Sequence, residues 1–151
     1  MRTCVLFLAV FSFCGLAAAQ TGPCTVSGVK AVRAASGKHA LPHTADLYFF
    51  SGALDKPVIG AQTVEKTSTN ILSSRKNESL VDHTDRIIAD PSGSMAYEYG
   101  TSHMSYYDVK TGKHENFTAA YLFVWKAERG VCKVAAEMAE PENMSQPAPK
   151  K

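Results

Sequence analysis

The sequence carries little net charge, because 16 Lys and Arg residues nearly balance 14 Asp and Glu residues and leave a formal charge of +2 at pH 7. Proteins that bind nucleic acid usually present a basic excess that neutralises phosphates. The composition therefore argues against nucleic acid as a partner. The chain also has no glycine-rich phosphate loop and no nucleophile elbow, so these two catalytic motifs do not point to an enzyme class.

Long apolar runs are scarce, and the one at residues 4–16 is the only candidate for membrane contact. Its length of about 13 residues is short of the roughly 20 that a helix needs to cross a bilayer. Arg2 precedes the run, and small Ala residues of the A-x-A type precede Gln20. This pattern indicates a secretory signal peptide over residues 1–19 and hence a secreted or periplasmic protein, with a membrane anchor as the alternative.

Cysteine becomes sparse once such a leader is removed, because Cys4 and Cys14 lie within it and only Cys24 and Cys132 remain. A pair of cysteines in an exported protein favours a disulfide. In the chain-entropy model a loop of about 108 residues would contribute roughly 4–5 kcal/mol. Two free thiols or a metal site are the alternatives, although no His flanks either Cys at a metal-binding spacing.

The histidines offer no clear metal site or catalytic pair. His39 and His43 have the spacing of one helix face, but Pro42 would break that helix. Ser102 and His103 are strand neighbours and therefore point to opposite faces. The sequence predicts neither a metal nor another cofactor.

Local patterns predict an α+β domain over residues 20–139, followed by a polar, disordered tail over 140–151. The predicted helices cover residues 29–40 and 61–74. The predicted strands cover 47–50, which is expected to be an edge strand, and 79–89, 95–107, 114–127 and 131–138. The last four, joined by turns at 90–93, 111–113 and 129–130, should form an antiparallel meander with the second helix packed across it.

Four motifs follow one another in a recognisable order: PVIGA at 57–61, SGSMAYEYG at 92–100, YLFVWK at 121–126 and GVCKV at 130–134. Over residues 45–139 this order resembles the SnoaL-like group of the nuclear transport factor 2-like (ketosteroid isomerase-like) superfamily. The resemblance implies a curved antiparallel sheet, a cone-like half barrel, with one to three helices packed on its concave face. A Trp usual near the start of the last strand is replaced by Cys132, which fits a bridge to Cys24.

The resemblance implies a class of function without specifying a reaction, because relatives include isomerases, cyclases, dehydratases and proteins of no known activity. It favours a secreted small-molecule-binding protein without a recognisable catalytic set. One alternative is a lyase or isomerase that acts on a small apolar substrate by carboxylate acid/base chemistry. The other is an interaction module that forms a homodimer through its sheet.

Glu98 is the first candidate for ligand contact. It stands between Tyr97 and Tyr99, and the small residues Ala96 and Gly100 on its own face would leave room for a ligand. Strand alternation allows Glu98 to face either the interior or solvent. Because charged residues are seldom buried, the expectation is that Glu98 faces solvent while the two tyrosines face the interior.

Other candidates lie on neighbouring strands. Tyr121, Phe123 and Trp125 share one face and could line an apolar pocket or form plain core, with the Tyr121 hydroxyl as a polar handle. Asp46 and Glu137, near predicted element ends, are interpreted as rim or capping groups. The candidate ligand-binding set is Glu98, Tyr121, Asp46 and Tyr48. In the enzymatic alternative, Glu98 or Asp46 is the base and Tyr121 the donor.

Three Asn-X-Ser/Thr sequons, at Asn77, Asn116 and Asn143, would carry N-linked glycans if the host is a eukaryote.

Overall fold

A computed structural model of the chain describes residues 22–36, 41–52 and 54–141. The described elements, in chain order, are α1 (Val26–Ala35), β1 (His43–Ser51), β2 (Val58–Ile59), α2 (Ala61–Leu72), β3 (Arg75–Ala89), β4 (Met95–Asp108), β5 (Lys113–Glu128) and β6 (Val131–Pro141). The expected leader lies outside the described residues. So does the expected tail, except that β6 includes its first two residues. No helix in the described part of the chain has the length and apolar character needed to cross a membrane.

The helices form close to their predicted positions. The Thr25 side chain accepts a hydrogen bond from the Gly28 N–H, so α1 starts three residues before the predicted helix and ends at Ala35, ahead of Gly37 and Pro42. The second predicted helix is confirmed by α2, which begins after Gly60, whose φ of 92° favours glycine.

The sheet has six strands in the order β2-β1-β6-β5-β4-β3. Strands β3 to β6 form the predicted antiparallel meander. The expectation that residues 47–50 form an edge strand is wrong, because β1 lies between β6 and the short β2. Strand β1 pairs in parallel with β6 and in an antiparallel sense with β2, which hydrogen-bonds along the side of β1 that would otherwise be open.

The two faces of the curved sheet differ in what covers them. We call the side covered by the helices the inner face, and there Val29 of α1 and Val64 of α2 join the core of buried sheet residues. Side by side across five strands, this face carries Phe49, Glu137, Phe123, Glu98 and Ile87. The opposite, outer face carries Tyr97 and Tyr99, which are 46% and 38% exposed. The prediction that these two tyrosines face the interior is therefore wrong.

A disulfide fixes the start of the described chain to the last strand. Cys24 and Cys132 are bonded and buried, which confirms the predicted pairing over the two alternatives. The segment that carries Cys24 is hydrogen-bonded to the turn between β3 and β4, because the Cys24 N–H donates to the Gly93 carbonyl. Within that turn, the Asp90 carboxylate accepts hydrogen bonds from Ser92, from Ser94 and from the Met95 N–H.

Candidate functional site

Glu98 lies on the inner face of β4 and is completely buried. Its Oε1 accepts hydrogen bonds from the Thr84 hydroxyl at 2.7 Å and the Tyr121 hydroxyl at 3.2 Å. Its Oε2 accepts one from Trp125 Nε1 at 3.0 Å. The expectation that Glu98 faces solvent is wrong, because these donors offset the cost of removing a carboxylate from water.

Arg33 of α1 supplies the opposite charge. Its Nε lies 3.3 Å from Glu98 Oε1, and its Nη2 donates to Asp82 Oδ2 at 2.9 Å. The guanidinium also lies over the rings of Tyr121 and Phe123, at 5.7 and 5.4 Å from their centroids. Stacking and forked hydrogen bonding suit Arg better than Lys. Arg33 therefore fixes α1 against the inner face and connects two carboxylates.

Gly100 makes room for this arrangement. A Cβ at this position would overlap the His83 carbonyl and lie 2.9 Å from the Tyr121 hydroxyl. Strands β3 and β4 can therefore approach closely only with glycine here. Because Gly100 has no side chain, the Tyr121 hydroxyl can lie within reach of both the Thr84 hydroxyl, at 3.0 Å, and Glu98.

Tyr121 remains protonated over the physiological range. Burial, the largest cause, raises the pKa of Tyr121 to about 12, and the negative charge of Glu98 acts in the same direction. The hydroxyl is therefore a hydrogen-bond donor, and its proton is directed toward Glu98.

An open cleft of about 390 Å³ lies between α1 and β3, with Arg33 and Glu98 in its wall. Its volume lies at the lower end of the range for small-molecule sites. The remaining lining residues are Val26, Lys30, Thr84, Asp85, Arg86 and Ile87.

Glu137, interpreted from the sequence as a rim or capping group, lies on the inner face of β6. A bulge in β6 leaves Ala135 without a register partner on β5, since Val124 pairs with Ala136 and Trp125 with Val134. The extra residue turns Glu137 to the inner face, between Phe49 and Phe123. Burial is the largest cause that raises its pKa to about 7, and Asp82 adds to the rise while Arg33 opposes it.

Asp46 and Tyr48, the other two candidates, lie apart from Glu98. Both are exposed on β1. Tyr48 pairs in register with Ala136, which pairs with Val124 on the outer face. The structure thus brings together Glu98 and Tyr121 of the candidate set, and in the described residues neither β1 candidate has a hydrogen bond to them.

Two of the three sequons lie in the described chain, and both asparagines are exposed. Asn77 has a φ of 54° at a bulge in β3, and Asn116 pairs with Ser105 on β5. Asn143 lies outside the described residues. Within the described part, no group of three or more His, Cys, Asp or Glu residues could hold a metal ion.

No protein-family profile and no curated protein matches the chain. Solved structures do match. A ketosteroid isomerase-like protein from Erwinia carotovora atroseptica superposes with a TM-score of 0.60 at 11% identity, over 68% of this chain and 77% of the other. An NTF2-like protein with a cystatin-like fold from Novosphingobium aromaticivorans gives 0.53 at 8% identity, over 69% and 67%. A hexachlorocyclohexane dehydrochlorinase, LinA type 2, gives 0.56 at 12% identity, over 67% and 68%. At these identities the likeness establishes the fold alone.

Proposed function

Because the chain has the nuclear transport factor 2-like (ketosteroid isomerase-like) fold, we propose that it is an extracytoplasmic small-molecule-binding protein of the SnoaL-like type. The ligand would occupy the inner face of the sheet, beside α1 and β3. Export is supported by the leader pattern of residues 1–19 and by the Cys24–Cys132 bridge, since disulfides persist in oxidising compartments.

The observation that carries this proposal is the cleft beside the Arg33–Glu98 pair. Val26 and Ile87 offer apolar contact for the body of a ligand, and Thr84 and Arg33 offer hydrogen bonds at the cleft wall. A mostly apolar site with a few converging polar groups is the usual form of a small-molecule pocket. The expected ligand is a small, largely apolar molecule with one or two polar groups.

The environment of Glu98 favours binding over turnover. A general base must have a lone pair directed at the substrate proton that it removes. Both Glu98 oxygens already accept protein hydrogen bonds, and Arg33 Nε lies 3.3 Å from Oε1. This carboxylate is better suited to holding Arg33 and the cleft wall in place than to receiving a proton.

A thermal-shift screen of small apolar compounds on the mature protein, residues 20–151, tests the proposal. Hits should raise the melting temperature of the wild type, because a ligand that binds only the folded state stabilises it. Val26→Trp would fill the cleft from the exposed rim of α1 and should abolish the shift. Val131→Trp, at an exposed position on β6 away from the cleft lining, is the matched control and should keep it. A screen without hits, or hits that ignore Val26→Trp, would count against a ligand in this cleft.

A lyase or isomerase is the second candidate, favoured by one observation. Glu98 faces inward and lies 3.2 Å from the Tyr121 hydroxyl, so a carboxylate and a donor share one site. Glu98→Gln should then abolish turnover of any substrate found by the screen. Turnover that survives this change would remove Glu98 from the reaction.

The outer face supports a further role in self-association. Tyr48, Ile88, Tyr97 and Tyr99 are exposed there, and exposed apolar and aromatic patches often mark protein contacts. A homodimer through the sheet would cover them. In a eukaryotic host, glycans on Asn77 and Asn116 would lie toward the other end of the strands, since these residues are near the β4–β5 turn in register.

A further inference from the structure

Glu137 is a carboxylate on the inner face for which the described part of the chain supplies no polar partner. Asp82 accepts hydrogen bonds from Arg33 and Ser102, and Glu98 accepts three and contacts Arg33. Glu137 is half-buried between Phe49 and Phe123, and its side chain makes no hydrogen bond or ion pair with any described residue.

The position of Glu137 depends on the bulge. Val134 is buried on the inner face, so strict alternation along β6 would put Ala136 inside and Glu137 outside. The extra residue, Ala135, reverses this and places the Glu137 carboxylate where the like charge of Asp82 acts on it. Bulges commonly redirect side chains at functional sites. A bulge that turns a carboxylate inward without giving it a polar partner among the described residues points to a contact with something else.

The local charges indicate the sign of that partner. Asp82 and Glu98 contact the Arg33 guanidinium, and Glu137 is a third carboxylate on which the Arg33 charge acts. The aromatic rings beside Glu137 add apolar surface and can face a cation. A protonated amine on an apolar body would supply both the missing positive charge and the hydrogen-bond donors.

We propose that Glu137, which lies on the inner face across Phe123 from Glu98 and outside the lining of the α1–β3 cleft, extends the ligand site along the sheet, and that the ligand is a small amine whose ammonium group binds the Glu137 carboxylate. The inference rests on the proposed function and makes it more specific. Asp82 and Arg33 contribute opposing charges at the site, while the adjacent strands β1 and β5 present the uncharged Phe49 and Phe123.

Such a site should bind amines more tightly as the pH rises. Glu137 is largely protonated at about pH 5.5 and largely ionised at about pH 8, whereas an alkylamine stays protonated throughout. The affinity of an amine should therefore increase at least about tenfold over this interval. A neutral ligand that accepts a hydrogen bond from protonated Glu137 would show the opposite trend.

The test measures dissociation constants by NMR titration for 2-phenylethylamine and for 2-phenylethanol, which matches it in size but has no charge. The wild type should show the pH-dependent gain for the amine only. Glu137→Gln, which keeps the shape and removes the ionisable group, should reduce the gain to less than about twofold. Glu140→Gln, at an exposed position on the same strand, should behave like the wild type.

Equal affinity for the two probes at about pH 8 would overturn the amine assignment, and so would a gain that persists in Glu137→Gln. Absence of binding by both probes to the wild type at about 10 mM would also overturn it. The thermal-shift screen is independent of the probes, so hits there would preserve the proposed binding function even if the amine assignment failed.

Discussion

At the scale of single residues, Glu98 explains how the inner face can contain a buried charge. A carboxylate without water contact is tolerated only if its oxygens are hydrogen-bonded and an opposite charge is near. Thr84, Tyr121 and Trp125 provide the hydrogen bonds, and Arg33 provides the charge. The four contacts come from α1, β3 and β5, so this one side chain joins three elements to β4.

Replacing Glu98 with Gln should destabilise the protein by about 2 kcal/mol. The amide cannot accept hydrogen bonds at both terminal atoms, and Arg33 loses one of its two carboxylate partners. Urea unfolding of the variant and wild type measures the difference. Glu140→Gln, at an exposed position, is the control and should change stability by less than about 0.5 kcal/mol. Equal stability of Glu98→Gln and the control would mean that the buried pair contributes little.

Gly100→Ala should cost about 2 kcal/mol or more, because the new Cβ overlaps the His83 carbonyl and crowds the Tyr121 hydroxyl. The melting temperature measures this effect. A variant as stable as the wild type would show that β3 and β4 can separate without loss at this point.

Glu98 and Tyr121 could be proposed from the sequence as ligand-contacting residues, but the face of the sheet on which Glu98 lies was predicted wrongly. The general rule that charges are exposed outweighed the local signal of Ala96 and Gly100 beside it. A better signal was available in the β4–β5 turn. Its glycine, Gly112, has a φ of 69°, and the pairing that starts there places Glu98 opposite Phe123, within the aromatic row of β5.

At the scale of elements, bulges determine which side chains reach the site. The antiparallel meander could be predicted from alternation and from turns such as Arg129-Gly130, where both residues have positive φ. The bulges in β3 and β6 could not be predicted, because one added residue does not change the composition of a strand in a recognisable way. The parallel pairing of β1 with β6 was also missed, since it joins segments far apart in the chain.

The bulge in β6 turns Glu137 to the inner face, and the raised pKa of Glu137 should make the stability of the protein depend on pH. The pKa of Glu137 is about 7 in the folded state, above the 4.5 of a Glu carboxyl in water, so the folded state binds more protons than the unfolded state between these values. Stability should therefore fall as the pH rises from about 4.5 to 7, by at most about 3 kcal/mol.

Urea unfolding of the wild type and Glu137→Gln near pH 5 and pH 8 measures this contribution. The variant should be more stable relative to the wild type at the higher pH, because it never acquires the unpartnered charge. A difference in stability that does not change with pH would show that Glu137 titrates normally.

At the scale of the whole molecule, the disulfide closes the fold by joining Cys24, just before α1, to the start of β6 across 108 residues. Reduction should lower stability by up to roughly 4–5 kcal/mol in the chain-entropy model. Intact mass after alkylation, with and without reductant, tests the bond itself. Two alkylated thiols in the non-reduced mature protein would contradict it.

The exposed outer face predicts self-association. Light scattering after size-exclusion chromatography should give the mass of a dimer for the wild type and of a monomer for Tyr97→Arg, since this change places a charge within the apolar patch. Thr63→Arg, at an exposed position on α2, is the control and should leave the dimer intact. A monomeric wild type would show that the face serves another purpose.

The inner face, with the Arg33–Glu98 pair in the wall of a cleft, is the proposed site for a small ligand. A crystal structure of the mature protein soaked with a hit from the thermal-shift screen tests it most directly. Ligand density should appear between α1 and β3, within hydrogen-bonding distance of Thr84 or Arg33, with Glu98 still facing inward. Density on the outer face alone, or a Glu98 carboxylate in solvent, would contradict it.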